Sequence, residues 1–277
     1  MNVNNRLRPT IFLTATVMNT VLYAMLSYAT SYIESPWGAG QFRPAVIVPA
    51  FFATIFGPLV GGIGAALGTL IADSLKHAQL YAGSYLASAP GNFIGFFLFG
   101  YIANKKFSWQ KFIIASEVTL LFANALVAFL YVYIFKVFYL ADPKYMGMSA
   151  STQVFFSLGL TIWWYVTMLP FVLVVTPVLI RAASSAFPLI VSERIQHSSL
   201  REELPLKSFS LAMIIPGIFM IVLGLATSLT SLGLFMQTYF GMLTFTLVQL
   251  MFYLSGAVLT GLGVLFYFRK ILLRKGN

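Results

Sequence analysis

Long runs without a charged residue alternate with short polar clusters along this chain. The first run extends from about Pro9 to Ile33 and follows Arg6 and Arg8. The next, Pro44 to Ala72, holds no charge but is interrupted by Pro49, Gly57 and Pro58. Later runs fall near 88–104, 110–138, 152–181, 209–234 and 238–268. Runs of this length suit helices that cross a hydrocarbon core about 30 Å thick. A straight helix over 44–72 would overshoot that core, so the Gly57-Pro58 pair predicts two short helices, near 45–56 and 59–74. The expected fold is all-α, a polytopic membrane helix bundle of about eight spans. A single span over 44–72 would give seven.

Composition supports the bilayer reading. Charged residues are 9% of the 277 and hydrophobic ones 59%, whereas a soluble domain carries about a quarter charged residues. The excess of 17 Lys+Arg over 7 Asp+Glu would suggest nucleic acid in a soluble protein. Here the cations lie between apolar runs and orient the chain instead, so no nucleic-acid partner is expected. With eight spans and a cytoplasmic N-terminus, only Arg43, Lys76, Lys136 and Lys144 face outward, and the other 13 Lys and Arg face inward. Seven spans and an external N-terminus give nearly the same bias. The eight-span reading puts the protein in the cell membrane with both termini cytoplasmic. The first run is long for a cleaved signal peptide, although Ala29-x-Ser31 has the small residues of a cleavage site.

Three segments follow: 1–181 as a six-helix membrane core with the substrate site, 182–208 as a cytoplasmic polar linker, and 209–277 as two further spans with a basic tail. Within the linker, Ser199-x-x-Glu202 has capping-box spacing. Phe187, Ile190, Ile195 and Leu200 could form the apolar side of an interfacial helix; a solvated linker is the simpler alternative.

Polar groups within apolar spans are costly and mark candidate sites. Gly40-Gln41-Phe42-Arg43-Pro44 puts an amide and a guanidinium at the mouth of the second span. Arg43 offers a planar fork for carboxylate or phosphate; alternatively it snorkels to headgroups or pairs with Glu34. Asp73 ends the third span, and its spacing to Lys76 predicts a helical ion pair, with a ligand role as the alternative for Asp73 and His77. Asn92, in Pro90-Gly91-Asn92, opens the fourth span as a cap or as part of an anion-binding helix start. Glu117 and Asn124 share a face of the fifth span, as packing glue or a proton path. Trp163, Trp164 and Tyr165 fall mid-span, where aromatic rings pack helices or stack on a heterocyclic ligand. Gly57-x-x-x-Gly61 and Gly64-x-x-x-Gly68 permit close helix approach.

No enzymatic motif stands out. A P-loop, His-Glu-x-x-His and Gly-x-Ser-x-Gly are all missing. With two His and no Cys, His77, Asp73 and Glu34 make a thin ligand set, and no metal or cofactor is expected.

Phe42-Arg43-Pro44-Ala45-Val46, Pro49-Ala50-Phe51-Phe52 and Phe56-Gly57-Pro58-Leu59-Val60-Gly61-Gly62 lead into Gly64-Ala65-Ala66-Leu67-Gly68-Thr69-Leu70-Ile71-Ala72-Asp73. This pattern, with Pro90-Gly91-Asn92-Phe93 through Gly100, resembles the substrate-binding S components of energy-coupling factor (ECF) transporters. The likeness is best over 40–104. It implies a six-helix bundle with a small-molecule site near the outer surface, a transmembrane coupling subunit and two ATPase subunits as partners. Carried over by position, the site would involve the Glu34–Arg43 loop, Asn92, Tyr131, Tyr133 and Gln153. Two departures stand out. The Ala-x-x-x-Ala face that family members use toward the coupling subunit is here Thr16-x-x-x-Thr20-x-x-x-Ala24, and two spans follow the six.

The leading expectation is a substrate-capture subunit for vitamin-like uptake, not an enzyme, with Arg43, Gln41, Asn92, Trp163, Trp164, Asp73 and His77 as substrate-binding residues. The alternatives are an ion-coupled secondary transporter using Glu117 and Asp73, and a membrane scaffold or sensor.

Overall fold

The computed structural model describes residues 8–35, 39–198 and 205–275. The described residues are almost wholly helical, with one isolated β-bridge between Glu34 and Gln41. Seven of these helical stretches are long and apolar enough to cross a membrane. The chain is a polytopic all-α membrane protein. An eighth, shorter apolar helix covers Pro44–Phe56; at 1.5 Å per residue it extends about 20 Å, less than the hydrocarbon thickness.

Contacts divide the chain into two units, 1–32 with 42–198, and 33–41 with 199–277. In the first, helix α1 (Pro9–Thr30) packs on α3 (Pro58–His77), α3 on α4 (Ala89–Ala103), α4 on α5 (Trp109–Phe129), and α5 on α7 (Ala150–Ala186). Helix α2 (Ile47–Phe56), entered through a 3₁₀ turn at Pro44–Val46, fits among α3, α4 and α7. A four-residue helix, α6 (Pro143–Met146), joins the end of the fifth span to α7.

The expected break between α2 and α3 is present. Gly57 takes φ +96°, a conformation that costs any residue with a Cβ, and Pro58 starts α3 at a position where its missing N–H is harmless. The chain reverses there, bringing Gly61 against Ala53. Asn104, just past α4, donates through Nδ2 to the carbonyls of Thr54 (2.7 Å) and Ile55 (3.2 Å) and so satisfies the end of α2. On α1, Asn19 donates to the Val60 carbonyl (2.9 Å), and a Cβ on Gly64 would lie 2.1 Å from that amide nitrogen. Glycine lets the two backbones approach. Thr16, Thr20 and Ala24, the face singled out in the sequence, are buried, and Gly68 meets the Thr20 carbonyl.

Two stretches wind as π-helix, a form that makes up well under 1% of residues. One is Ser84–Ser88, leading into α4; the other is Leu130–Tyr139, continuing α5. They pack against each other. The first carries the chain into Pro90, whose ring would clash with the carbonyl four residues back in a regular helix.

The sequence expected a polar linker from 182. Instead α7 continues to Ala186, spanning 37 residues, and the following segment docks on the first unit. Arg181 Nη1 donates to the carbonyls of Gln196 (3.0 Å) and Ser198 (2.8 Å) at the end of the short helix α8 (Glu193–His197). Val191 and Ile195 are buried. Of the expected apolar side, Ile195 is inside while Phe187 and Ile190 are exposed. Ser199, Leu200 and Glu202 lie outside the described residues.

In the second unit, α9 (Leu206–Leu229) and α11 (Met242–Lys275) pack antiparallel, with α10 (Ser231–Phe240) between them in sequence. Gly217, Gly256 and Gly263 let the backbones meet, and Ser228 bonds Tyr253 and Gln249 at one end.

Candidate functional site

The first loop, α3 and the start of the fourth span converge on one charged centre. Arg43 precedes the 3₁₀ turn at Pro44–Val46 with a non-helical backbone (φ −134°, ψ +65°). It is 7% exposed and Asp73 3%. Arg43 Nη2 donates to Asp73 Oδ1. Ser84, in the first π stretch, donates its hydroxyl to Asp73 Oδ2. Arg43 Nη1 also donates to Thr69 Oγ1 (3.3 Å), and Asn92 Nδ2 donates to the same hydroxyl oxygen (2.7 Å). Thr69 and Asp73 are one helical turn apart, so α3 presents both to the arginine. Each carboxylate oxygen thus has a donor, which a buried charge requires.

This arrangement revises several expectations. Asp73 takes Arg43 and Ser84 where the spacing pointed to Lys76, whose ammonium donates to the Ser31 carbonyl (2.8 Å). Arg43 is inside the bundle, not at the lipid headgroups. Asn92 neither caps nor opens the fourth span, which begins at Ser84 and holds Asn92 within it. Gln41 belongs to the other unit, bridged to Glu34. Trp163 and Trp164 are buried on α7.

His77 lies one turn beyond Asp73. Its Nδ1 is 2.8 Å from the Asp73 carbonyl, so that nitrogen carries the proton. Its ring stacks on Tyr81, centroids 3.8 Å apart and nearly parallel. Tyr81 meets the edge of Phe135. Among the described residues, no three His, Asp or Glu side chains come together as a metal site.

Farther along the fifth span, Tyr165 of α7 donates its hydroxyl to Glu117 Oε2, and Asn124 Nδ2 lies 3.7 Å from Met168 Sδ. Both contacts tie α5 to α7. Glu117 Oε1 is buried without a hydrogen-bond partner.

Thr69 and Ser84 were not singled out in the sequence. Thr69 carries a signal in hindsight, since it is four residues before Asp73 on the same face. Ser84 has none, because its place depends on the π winding.

Comparison with family models, with curated proteins and with solved structures gave no match.

Proposed function

We propose that this chain is the membrane-embedded substrate-capture subunit of a small-solute uptake transporter, energised by partner ATPases through a coupling subunit. The observation that supports this reading is the buried Arg43–Asp73 pair. It draws on the first loop and Asn92, where the resemblance to ECF S components implies a site, and joins them to the third helix through Asp73 and Thr69. A buried ion pair recovers little over a well-packed apolar pair, so its presence in a membrane bundle points to a task. The chemistry is exchange without a covalent step. A carboxylate or phosphate on the solute replaces Asp73 on the guanidinium fork, and Asp73 retains the Ser84 hydroxyl. The coupling subunit would engage a surface other than Thr16, Thr20 and Ala24, which are buried here.

The test is mass spectrometry of small molecules released on denaturing purified, washed protein. Wild type should yield a stoichiometric solute bearing an anionic group. Arg43→Lys, which keeps the charge and loses the fork, should yield about tenfold less. Protein that stays empty after soaking in a vitamin and nucleobase mixture would overturn the reading.

A second reading, an ion-coupled transporter, draws on Glu117, whose Oε1 has no partner. Uptake that survives ATP depletion but collapses with a protonophore would favour it.

A further inference from the structure

The two π-helical stretches meet at one end of the first unit, and the residues there form a cage around an ammonium. Lys136 Nζ lies 5.8 Å from the ring centre of Tyr131 and 5.4 Å from those of Phe135 and Tyr145. Asp142 Oδ2 is 3.3 Å from the same nitrogen. Three π faces and a carboxylate around one cation are the elements used to recognise organic ammonium groups.

The cage is built, not incidental. Tyr145 is 4% exposed, and its ring meets the edge of Phe156. Gln153 Nε2 donates to the Tyr145 carbonyl at 2.9 Å. Asp142 accepts from the Lys144 amide at 3.1 Å, which fixes its carboxylate at the start of α6. Phe135 is held by the Tyr81 edge contact, and a Cβ on Gly83 would come within 2.8 Å of its ring. Burial pushes the Tyr145 phenol up to about 12, with Asp142 adding to the rise, so the ring stays neutral. The open side is the lip formed by Lys136 and Asp142, whose side chains are 19% and 26% exposed. A second lysine, Lys144, approaches the Tyr145 ring at 5.9 Å.

π-Helical turns inside longer helices occur often at functional sites. Here the winding of Leu130–Tyr139 sets Tyr131, Phe135 and Lys136 in one cluster, and the winding of Ser84–Ser88 packs against it.

We propose that this cage is a recognition site for an organic ammonium group, and that Lys136 occupies it as a tethered surrogate which the ligand displaces. The inference rests on the solute-capture reading and adds a second recognition element to the anionic group proposed there, an amine or quaternary ammonium on the solute.

Tetramethylammonium is the probe. Its binding to detergent-purified full-length protein is followed by titration calorimetry against sodium chloride at matched ionic strength. Lys136→Met removes the surrogate and leaves Asp142 and the three rings. It should bind tetramethylammonium about tenfold more tightly than wild type. Lys136→Arg should bind no more tightly than wild type, and adding Tyr145→Ala to Lys136→Met should abolish the gain. Three results would overturn the proposal. One is a folded Lys136→Met protein without a gain. Another is a gain that persists with Tyr145→Ala. The third is a Lys136→Met protein that does not fold while Lys136→Arg does, since the lysine would then be a structural staple. Because the probe reports on the cage directly, an empty capture site and an inert cage are separate outcomes.

Discussion

Removing either member of the Arg43–Asp73 pair should destabilise the bundle far more than removing both. The side chains are 9% and 5% exposed, so solvent screens the interaction little. Asp73→Leu takes the carboxylate partner away from the guanidinium and frees the Ser84 hydroxyl. A buried charge left without its partner costs about 3–5 kcal/mol, and a lost hydrogen bond adds about 1 kcal/mol. Arg43→Met strands the carboxylate with the Ser84 donor alone, at about 3–5 kcal/mol. The double variant Arg43→Met/Asp73→Leu leaves an apolar pair and the unpaired Ser84, and should lie within about 1 kcal/mol of wild type. The coupling between the two sites is then at least about 6 kcal/mol. Reversible unfolding in mixed micelles, titrated with dodecyl sulfate and followed by circular dichroism, measures all four proteins. Single variants within about 1 kcal/mol of wild type, or a double variant that costs the sum of the singles, would refute the reasoning.

Gly64→Ala should cost about 1–3 kcal/mol in the same assay, because its Cβ would press on the Asn19 amide. Gly261→Ala is the control, with nothing within 4 Å of the added carbon, and should leave stability unchanged. Arg181→Ala removes the two bonds that hold the end of α8. Trypsin cleavage at Arg194 should then accelerate about tenfold, as opening of the segment becomes about 1.4 kcal/mol easier; an unchanged rate would show that Ile195 and Val191 hold the segment unaided.

The spans were legible because charge is excluded from them, and the α2–α3 break because Gly57 and Pro58 act locally. The partner of Asp73 was not. Spacing along one helix shows Lys76, whereas Arg43 arrives only when the hairpin closes. Asn92 was misplaced because Pro90 reads as a helix start, and only the π turn before it lets the helix run through. Of the lysine cage, the sequence pointed only to Tyr131, and only through the resemblance. In a regular helix residues 131, 135 and 136 form an ordinary flank, and it is the altered winding, together with the turn from Asp142 to Tyr145, that gathers them. The linker was begun too early, at 182, because the composition after 181 does not reveal that α7 runs on to Ala186 and that Arg181 holds the following segment.

The bond from Asn104 to the carbonyls at the end of α2 has a consequence for synthesis. Residues 44–77 leave the ribosome before Asn104 exists. Until then the Thr54 and Ile55 carbonyls lack the donor they have in the finished bundle. The reversal at Gly57 is therefore completed only when the fourth span arrives. A chain halted short of residue 104 would hold the α2–α3 pair with the end of α2 still lacking its Asn104 donor.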